Sequence, residues 1–350
     1  MTIGQRIKQA RKASRLSLRA LADQAGISAM AISKYERNES VPSSGVLARL
    51  AQALEVPLDY FFRPASQGVP LRAYRKHASL KKKDESAILA RIQEWLDRYH
   101  EIENLFPQAV RQADLPVYPI EGLVEIEQAA LDLRKRWRLG LDAIENLTGL
   151  LEDQGFKVGL VEGFDDFDAC TFLSDNAPVI VTKADTPGDR QRYNLSHELG
   201  HIVLEISSEL DQEKAAHRFA GAFLVPATVA RYELGDQRSD LELHELYLLK
   251  RKYGLSMQAW IYRAKDLGII SEWTARRLFK RFRSHGWRLQ EPGEPLPPEE
   301  PLRLELLVYR ALAEDLISRS RAQELLGKPL QDIRYLEKVQ ANDVAVGAGD

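Results

Sequence analysis

The sequence predicts an α-rich α+β chain: an N-terminal all-α helix-turn-helix domain, a central domain with a small β-sheet, and a helical C-terminal extension. Three observations predict it. Residues 18–37 place a small residue, a glycine and a branched residue at the spacing that two crossed helices require. Short β-branched runs near 156–161, 169–173 and 178–182 interrupt a chain whose apolar residues otherwise recur at helical spacing. Two proline-rich stretches, 64–70 and 291–298, punctuate the 350 residues. The expected divisions are 1–65, a linker and long amphipathic helix over 66–120, a central domain over 121–288, and a linker, small helical tail and disordered end over 289–350. At 44% hydrophobic residues the chain can bury two or three cores.

In the first domain, Ser17 and Ser28 are N-caps for two short helices. Ala22 sits where the helices cross, Gly26 makes the turn, Ile32 faces back to the core, and Leu21 and Ile27 fill it. Asn38 to Ser43 is a polar break before the next helix, and Val56 to Phe62 closes the domain. Residues 1–65 hold ten Lys or Arg against five Asp or Glu, a net of +5 in a chain of net −2, which leaves −7 for the rest. A locally basic segment in a mildly acidic chain points to phosphate contacts. Arg6, Lys8, Arg11, Lys12 and Arg15 are expected at the DNA backbone, and Ser28, Ala29, Ser33, Lys34 and Arg37 in the major groove. The spacing resembles the Cro/cI-type (XRE) helix-turn-helix family over nearly all of residues 1–63, with Leu18 where many relatives carry Gln. The resemblance implies a double-stranded DNA operator bound at two-fold sites by a homodimer.

The stretch Arg72, Arg75, Lys76 and His77 continues the first linker, and Lys81-Lys82-Lys83 reads as a solvated charge run. Ile88, Ile92, Trp95, Leu96, Tyr99, Ile102 and Leu105 then line one face of a long helix, expected to pack on the central domain or a partner subunit. Pro107, Pro116 and Pro119 end it. Helices over about 121–138 and 141–153 lead into the three strands. Pro178 to Thr182 is expected beside the functional site, able to pair with an extended substrate. Cys170, the single cysteine, lies in a strand as a small core residue, which excludes disulfide and Cys-based metal frameworks.

The most informative residues are His197-Glu198-Leu199-Gly200-His201. On a helix, residues four apart share a face, so both imidazoles can reach one metal ion, and Glu198 can address a water bound to it. Gly200 costs about 1 kcal/mol in a helix and makes sense where something must approach the backbone. An open catalytic zinc site needs three protein ligands. Residues 209–226 supply a helical apolar stripe with Glu213 on its edge and His217 one turn on. Glu213 is the expected third ligand, with His217 behind it; Glu205 and His217 compete for the role.

Residues from about 145 to 265 resemble the ImmA/IrrE family of zinc peptidases. The matching blocks are Gly188 to Tyr193, His197 to His201, Glu213 to Ala220, Leu224 to Pro226, Leu249 to Ser256 and Tyr262 to Ala264. The resemblance implies a zincin-like metallopeptidase domain, zinc ligands His197, His201 and Glu213, and Glu198 as general base. The chain departs from the family in carrying His217 where Asn or Asp is commoner, and Ala215 where an acid is common. Arg263 and Tyr253 are the candidate oxyanion donors. Two His and a carboxylate suit zinc, although manganese or iron take similar ligands.

In the tail, Leu302, Leu306, Tyr309, Leu312, Leu316, Ile317, Ala322, Leu325 and Leu326 build small helices, resembling an extension found on longer helix-turn-helix members of the peptidase family. The N-terminus lacks an apolar leader and no segment reaches membrane-span length, so a cytoplasmic chain without membrane contact is expected. Joined, the two halves imply a DNA-binding transcriptional regulator carrying a zinc-dependent endopeptidase that cleaves a repressor or toxin-like partner protein. The alternatives are a repressor or antitoxin-like regulator whose zinc domain is a sensor or partner-binding module with little hydrolysis, and a protease that uses residues 1–65 as a protein-binding arm.

Overall fold

Helices in the N-terminal domain begin where the sequence supplies caps. The structure, a computed structural model, describes residues 2–62, 81–174, 177–288 and 290–330. Thr2 caps α1 (Ile3–Ala13) in a capping box with Gln5. Ser17, Ser28 and Ser43 cap α2 (Leu18–Ala25), α3 (Ala29–Glu36) and α4 (Ser44–Leu54), each hydroxyl accepting from an amide in the first turn. Gly26 ends α2 at φ +63°, a backbone region that L side chains rarely adopt. A Cβ on Gly4 would collide with the Tyr35 carbonyl, so α1 and α3 cross at that glycine. Ile7, Leu21, Ala22, Ile32 and Leu50 are buried in the core, together with Tyr60 and Phe61 of a 3-10 turn; Ile27 is only partly buried against it.

Three of the five cations expected at the DNA backbone are used inside the protein instead. Arg6 is 1% exposed, donates to Gln9 at 3.1 Å and lies 5.5 Å over the Tyr60 ring. Arg11 grips both carboxylate oxygens of Glu36 at 2.6 and 2.8 Å. Arg15 donates to the Gly163 carbonyl, pairs with Asp84 at 3.3 Å and lies 3.9 Å over Phe164. Guanidinium's planar fork and stacking face suit such internal contacts, which one sequence cannot distinguish from phosphate contacts. Lys8 stays exposed; Lys12 is half-buried, and burial followed by the charges of Lys8 and Arg11 lowers its pKa. The first linker, with Arg72, Arg75, Lys76 and His77, lies outside the described residues, as does the end from Ala341 to Asp350.

The chain forms two units, residues 1–93 with 111–301, and residues 94–110 with 302–350. Helix α5 (Lys82–Glu103) carries the boundary between the two. In the first unit, Arg91 of α5 donates to the carbonyls of Ala13 and Glu162 at 3.3 and 2.9 Å and lies 5.0 Å over Phe164.

Strand β1 (Tyr118–Ile120) precedes α6 (Leu123–Arg136) and α7 (Leu147–Asp153). The second of these helices starts later than the expected residue 141. Asn146 caps it by accepting from Gly149 at 2.7 Å, while buried Arg134 holds the carbonyls of Gly140 and Asp142 upstream. Strands β2 (Lys157–Val161), β3 (Ala169–Ser174) and β4 (Ala177–Lys183) form a sheet of order β2-β4-β3. Strand β4, the run expected to pair with substrate, is therefore the centre of the sheet. It is parallel to β2 and antiparallel to β3, and both its edges are taken. Its near-continuous burial explains the β-branched run: a central strand is covered on both faces.

Helix α8 (Gly188–Val203) leads into β5 (Leu204–Ile206), which pairs in parallel with β1. Helices α9 (Gln212–Leu224), α10 (Ala227–Leu234), α11 (Leu243–Tyr253), α12 (Met257–Asp266) and α13 (Glu272–Ser284) follow. Leu195, Leu199, Phe219, Phe223 and Trp260 lie fully buried in one core with Trp137 and Phe156. The second proline-rich stretch, read from sequence as a linker, is pinned along this unit: Gly188 N–H donates to the Leu296 carbonyl at 2.8 Å.

In the second unit, Ile102 at the end of α5 and Phe106 just beyond it pack with Leu307, Val308 and Ala311 of α14 (Arg303–Ala313) and Ala322 and Leu325 of α15 (Arg319–Leu326). This end of the long helix thus finds its partners in the tail rather than in the central domain. Leu302 and Leu306 are 48% and 60% exposed, so the tail's core face lies one residue round from the expected stripe.

The Arg11–Glu36 pair generates a stability contrast. Glu36→Ala leaves a largely buried guanidinium without its acceptor and is expected to destabilise the protein by about 3 kcal/mol in urea unfolding. Glu39→Ala removes an exposed pair with Arg37 and is expected to stay within about 0.5 kcal/mol.

Candidate metal centre and DNA-facing helix

Helix α8 presents Tyr193, His197 and His201 at four-residue intervals on one face, and α9 packs against it. The close approach is made at Gly200. A Cβ there would meet Phe219 Cδ1 at 3.0 Å and the Ala216 Cα at 3.4 Å, both on α9. This brings Glu213, in the first turn of α9, over the two imidazoles.

The donor atoms converge. His197 Nε2 and His201 Nε2 are 3.0 Å apart, and the Glu213 carboxylate oxygens lie 3.3 Å from the first and 3.4 Å from the second. Tetrahedral zinc bound at about 2.0–2.1 Å sets neighbouring ligand atoms about 3.3 Å apart, so this spacing suits such an ion. Both histidines are largely buried, whereas the Glu213 side chain is 60% exposed, which leaves the centre open on one side.

His217, expected behind Glu213, lies beside the same group of donor atoms. Donor atoms of His197, Glu213 and His217 lie within 4.8 Å of one another, and the His217 ring centroid is 4.3 Å from that of His197. Glu205, the other competitor, is removed by the fold: α8 ends at Val203, and Glu205 sits exposed on β5 opposite Pro119.

Glu198 is 4% exposed, and its charge reaches Cys170 on β3. Burial first, and then that charge, pushes the Cys170 thiol well up, which keeps it a protonated core residue. Tyr193, which the sequence reading passed over, donates to the His217 carbonyl at 3.3 Å, and its hydroxyl lies 3.2 Å from His217 Nδ1. Burial, then Asp266 and Tyr262, raises its pKa, so the phenol stays a hydrogen-bond donor. The available signal was its position one turn before His197 on the same face.

The two candidate oxyanion donors are engaged elsewhere. Arg263 makes two 2.6 Å bonds to Glu127 and one of 2.9 Å to the Val225 carbonyl. The Tyr253 hydroxyl donates to Glu233 at 2.6 Å. On the His217 side, a cavity of about 720 Å3 opens between Tyr193, Asp189, Tyr262 and the residues Gln290, Glu291, Gly293 and Pro295.

On α3, Lys34 and Arg37 are exposed, Ala29 and Ser33 half-buried, and Ser28 exposed while serving as N-cap. Arg37 also pairs with Glu39 at 3.0 Å. Met30, 64% exposed, completes the outward face with Lys34 and Arg37; one exposed Met in a short helix carried no sequence signal. Among the described residues, no helix is long and apolar enough to cross a membrane.

Residues 7–61 match the family model described as helix-turn-helix, and residues 159–265 match the peptidase M78 model described as IrrE N-terminal-like domain. The chain therefore joins an XRE-type helix-turn-helix domain to an IrrE N-terminal-like domain. It is 43% identical over 68 residues to an uncharacterized transcriptional regulator in the ATPase CF(0) region of Rhodospirillum rubrum, a match covering 19% of this chain and 63% of that protein. It is 33% identical over 79 residues to the uncharacterized HTH-type transcriptional regulator y4aM of Sinorhizobium fredii, covering 21% of this chain and 55% of that one. The chain thus spans 63% and 55% of the length of these curated relatives. Among solved structures, Bacillus thuringiensis PlcR, crystallised with the peptide PapR7 and DNA, aligns over 100% of this chain and 99% of its own at 12% identity. The TM-score of 0.18 carries no argument about this chain.

The helix contact at Gly200 is open to test. Gly200→Val drives a branched side chain into Phe219 and is expected to cost about 1–3 kcal/mol in thermal unfolding. Metal affinity should fall in the same variant, because Glu213 would move away from the two imidazoles.

Proposed function

We propose that this chain is a DNA-binding transcriptional regulator whose IrrE-like domain is a zinc-dependent endopeptidase acting on a repressor or partner protein. The observation that carries the reading is the convergence of His197, His201 and Glu213 within 3.0–3.4 Å, beside buried Glu198. His197, His201 and Glu213 would hold the ion. Zinc, when bound, polarises a carbonyl and acidifies water.

The remaining work falls to side chains. Glu198 accepts the proton of the attacking water and returns it to the departing amine. His217, steadied by Tyr193, borders the substrate side at the cavity. With β4 enclosed in the sheet, β3 is its antiparallel edge strand, and an extended substrate backbone would pair there. Residues 1–65 serve the DNA: Lys34 and Arg37 meet phosphate or base edges, Met30 packs on a thymine methyl, and Ser28, Ala29 and Ser33 let the helix lie close in the groove. A homodimer would place two such helices on a two-fold operator.

Metal analysis of the purified chain tests the centre. Stoichiometric zinc is expected in wild type and in Glu198→Gln, and loss in His197→Ala and Glu213→Ala. Retention of zinc in Glu213→Ala would make His217 the third ligand. Glu198→Gln should retain metal while hydrolysis of the target falls by at least 100-fold, in line with the usual contribution of a general base. For the DNA, an electrophoretic shift with operator fragments should weaken linearly in log salt, and Lys34→Ala should reduce that slope by about one. Binding insensitive to salt would favour the protein-arm reading of residues 1–65.

A further inference from the structure

The stretch from Glu291 to Glu299 is fastened to the IrrE-like domain by a repeated device. At one end, the Glu291 carboxylate accepts from the amides of Met257 and Gln258, each at 2.9 Å, at the N-terminus of α12. The same carboxylate lies 3.0 Å from Lys250 Nζ, a side chain only 4% exposed. At the other end, the Glu299 carboxylate accepts from the Thr148 amide at 2.7 Å, in the first turn of α7, and pairs with Arg192, itself 7% exposed. Each socket therefore combines a helix N-terminal amide with a buried cation, a strong setting for a carboxylate.

Between the sockets the domain reads the backbone of the segment. The Gln191 side chain clamps Glu299 from both sides, its amide donating to the Glu299 carbonyl at 2.9 Å and its oxygen accepting from the Glu299 amide at 2.6 Å. Gly188 donates to the Leu296 carbonyl at 2.8 Å. Two glycines make the fit possible: a Cβ on Gly188 would collide with the Pro297 carbonyl, and one on Gly293, at φ +86°, with the Tyr247 ring. Backbone clamps plus two charge sockets are the means by which proteins bind extended peptides. The prolines at 292, 295, 297 and 298 keep such a segment extended and lower the entropy lost on docking.

We propose that the groove formed by Gly188, Gln191, Arg192, Thr148, Lys250 and the α12 N-terminus is a docking site for an extended, acidic, proline-containing peptide with two glutamates eight residues apart. Glu291–Glu299 is its built-in occupant, and a partner protein segment of the same chemistry displaces it. Displacement has a consequence for the neighbouring chamber. Glu291, Gly293 and Pro295 line the same cavity as His217 and Tyr193. Partner docking therefore exchanges this part of the cavity lining, beside the candidate metal centre, for residues of the partner segment. Docking in this groove requires no hydrolysis at that centre.

A fluorescent peptide with the sequence of residues 290–301, followed by anisotropy against the full-length chain, tests it. Wild type should bind weakly, because its own segment fills the groove. Gly293→Ala, which dislodges the resident segment without touching either socket, should bind at least tenfold tighter, as should Glu291→Gln with Glu299→Gln. A peptide with glutamine at both positions should lose at least tenfold. Adding Gly188→Ala to Gly293→Ala should abolish capture. A second measurement uses wild type alone: glutamyl endopeptidase nicking after Glu299, the one glutamate of the segment not followed by proline, should accelerate as the acidic peptide is added, and not with the glutamine peptide. Equal binding by wild type and folded variants, equal binding of the two peptides, or nicking that ignores the peptide would overturn the proposal.

Discussion

The close contact between α8 and α9 at Gly200 is the constraint on which the candidate centre depends. Two imidazoles on one helix face supply only half of a metal site. The other half comes from Glu213, on a helix that reaches the first only because position 200 has no side chain. Phe219 fills the space a Cβ would have taken, and it is fully buried. The glycine's cost within a helix is offset by the packing it permits. The same two helices anchor the main core, so site geometry and domain stability rest on shared contacts.

Buried charge is a second theme. Arg263 with Glu127, Arg192 with Glu299, Lys250 with Asp189 and Glu291, and Arg11 with Glu36 are all ion pairs shielded from water on at least one side. Arg134, 0% exposed, is satisfied by three carbonyls, and burial pulls its pKa down to about 10. Isolated burial of these groups would be prohibitive; paired, they specify which segments lie together more than they add stability. That is why cations that look functional in the sequence, such as Arg263, Arg6 and Arg11, turn out to be structural.

The segment after α13 shows how composition misleads. Proline and glycine imply a connector, yet Glu291 and Glu299 fix it to the domain, and the prolines hold it straight between them. It lines the cavity beside His217, so the surroundings of the candidate centre are built partly from residues almost a hundred positions beyond His197. On the N-terminal side, Phe164 between β2 and β3 lies under both Arg15 and Arg91. The loop between β2 and β3 thereby touches the helix-turn-helix domain.

The sequence alone determined whatever depends on local periodicity and capping. Ser17 and Ser28 start their helices, Gly26 turns between them, and the spacing of His197 and His201 places both on one face, because these are properties of a few adjacent residues. It also located the three strands of the central sheet. Strand order could not be read locally, since β4 becomes central only when β3 folds back beside it. Only the tertiary structure decided that Glu205 leaves the helix, that His217 joins the cluster, that Tyr193 braces it, and that Leu307 rather than Leu306 faces the tail core. Each of these turns on where one element ends or what packs against it, and such contacts join residues far apart in the chain.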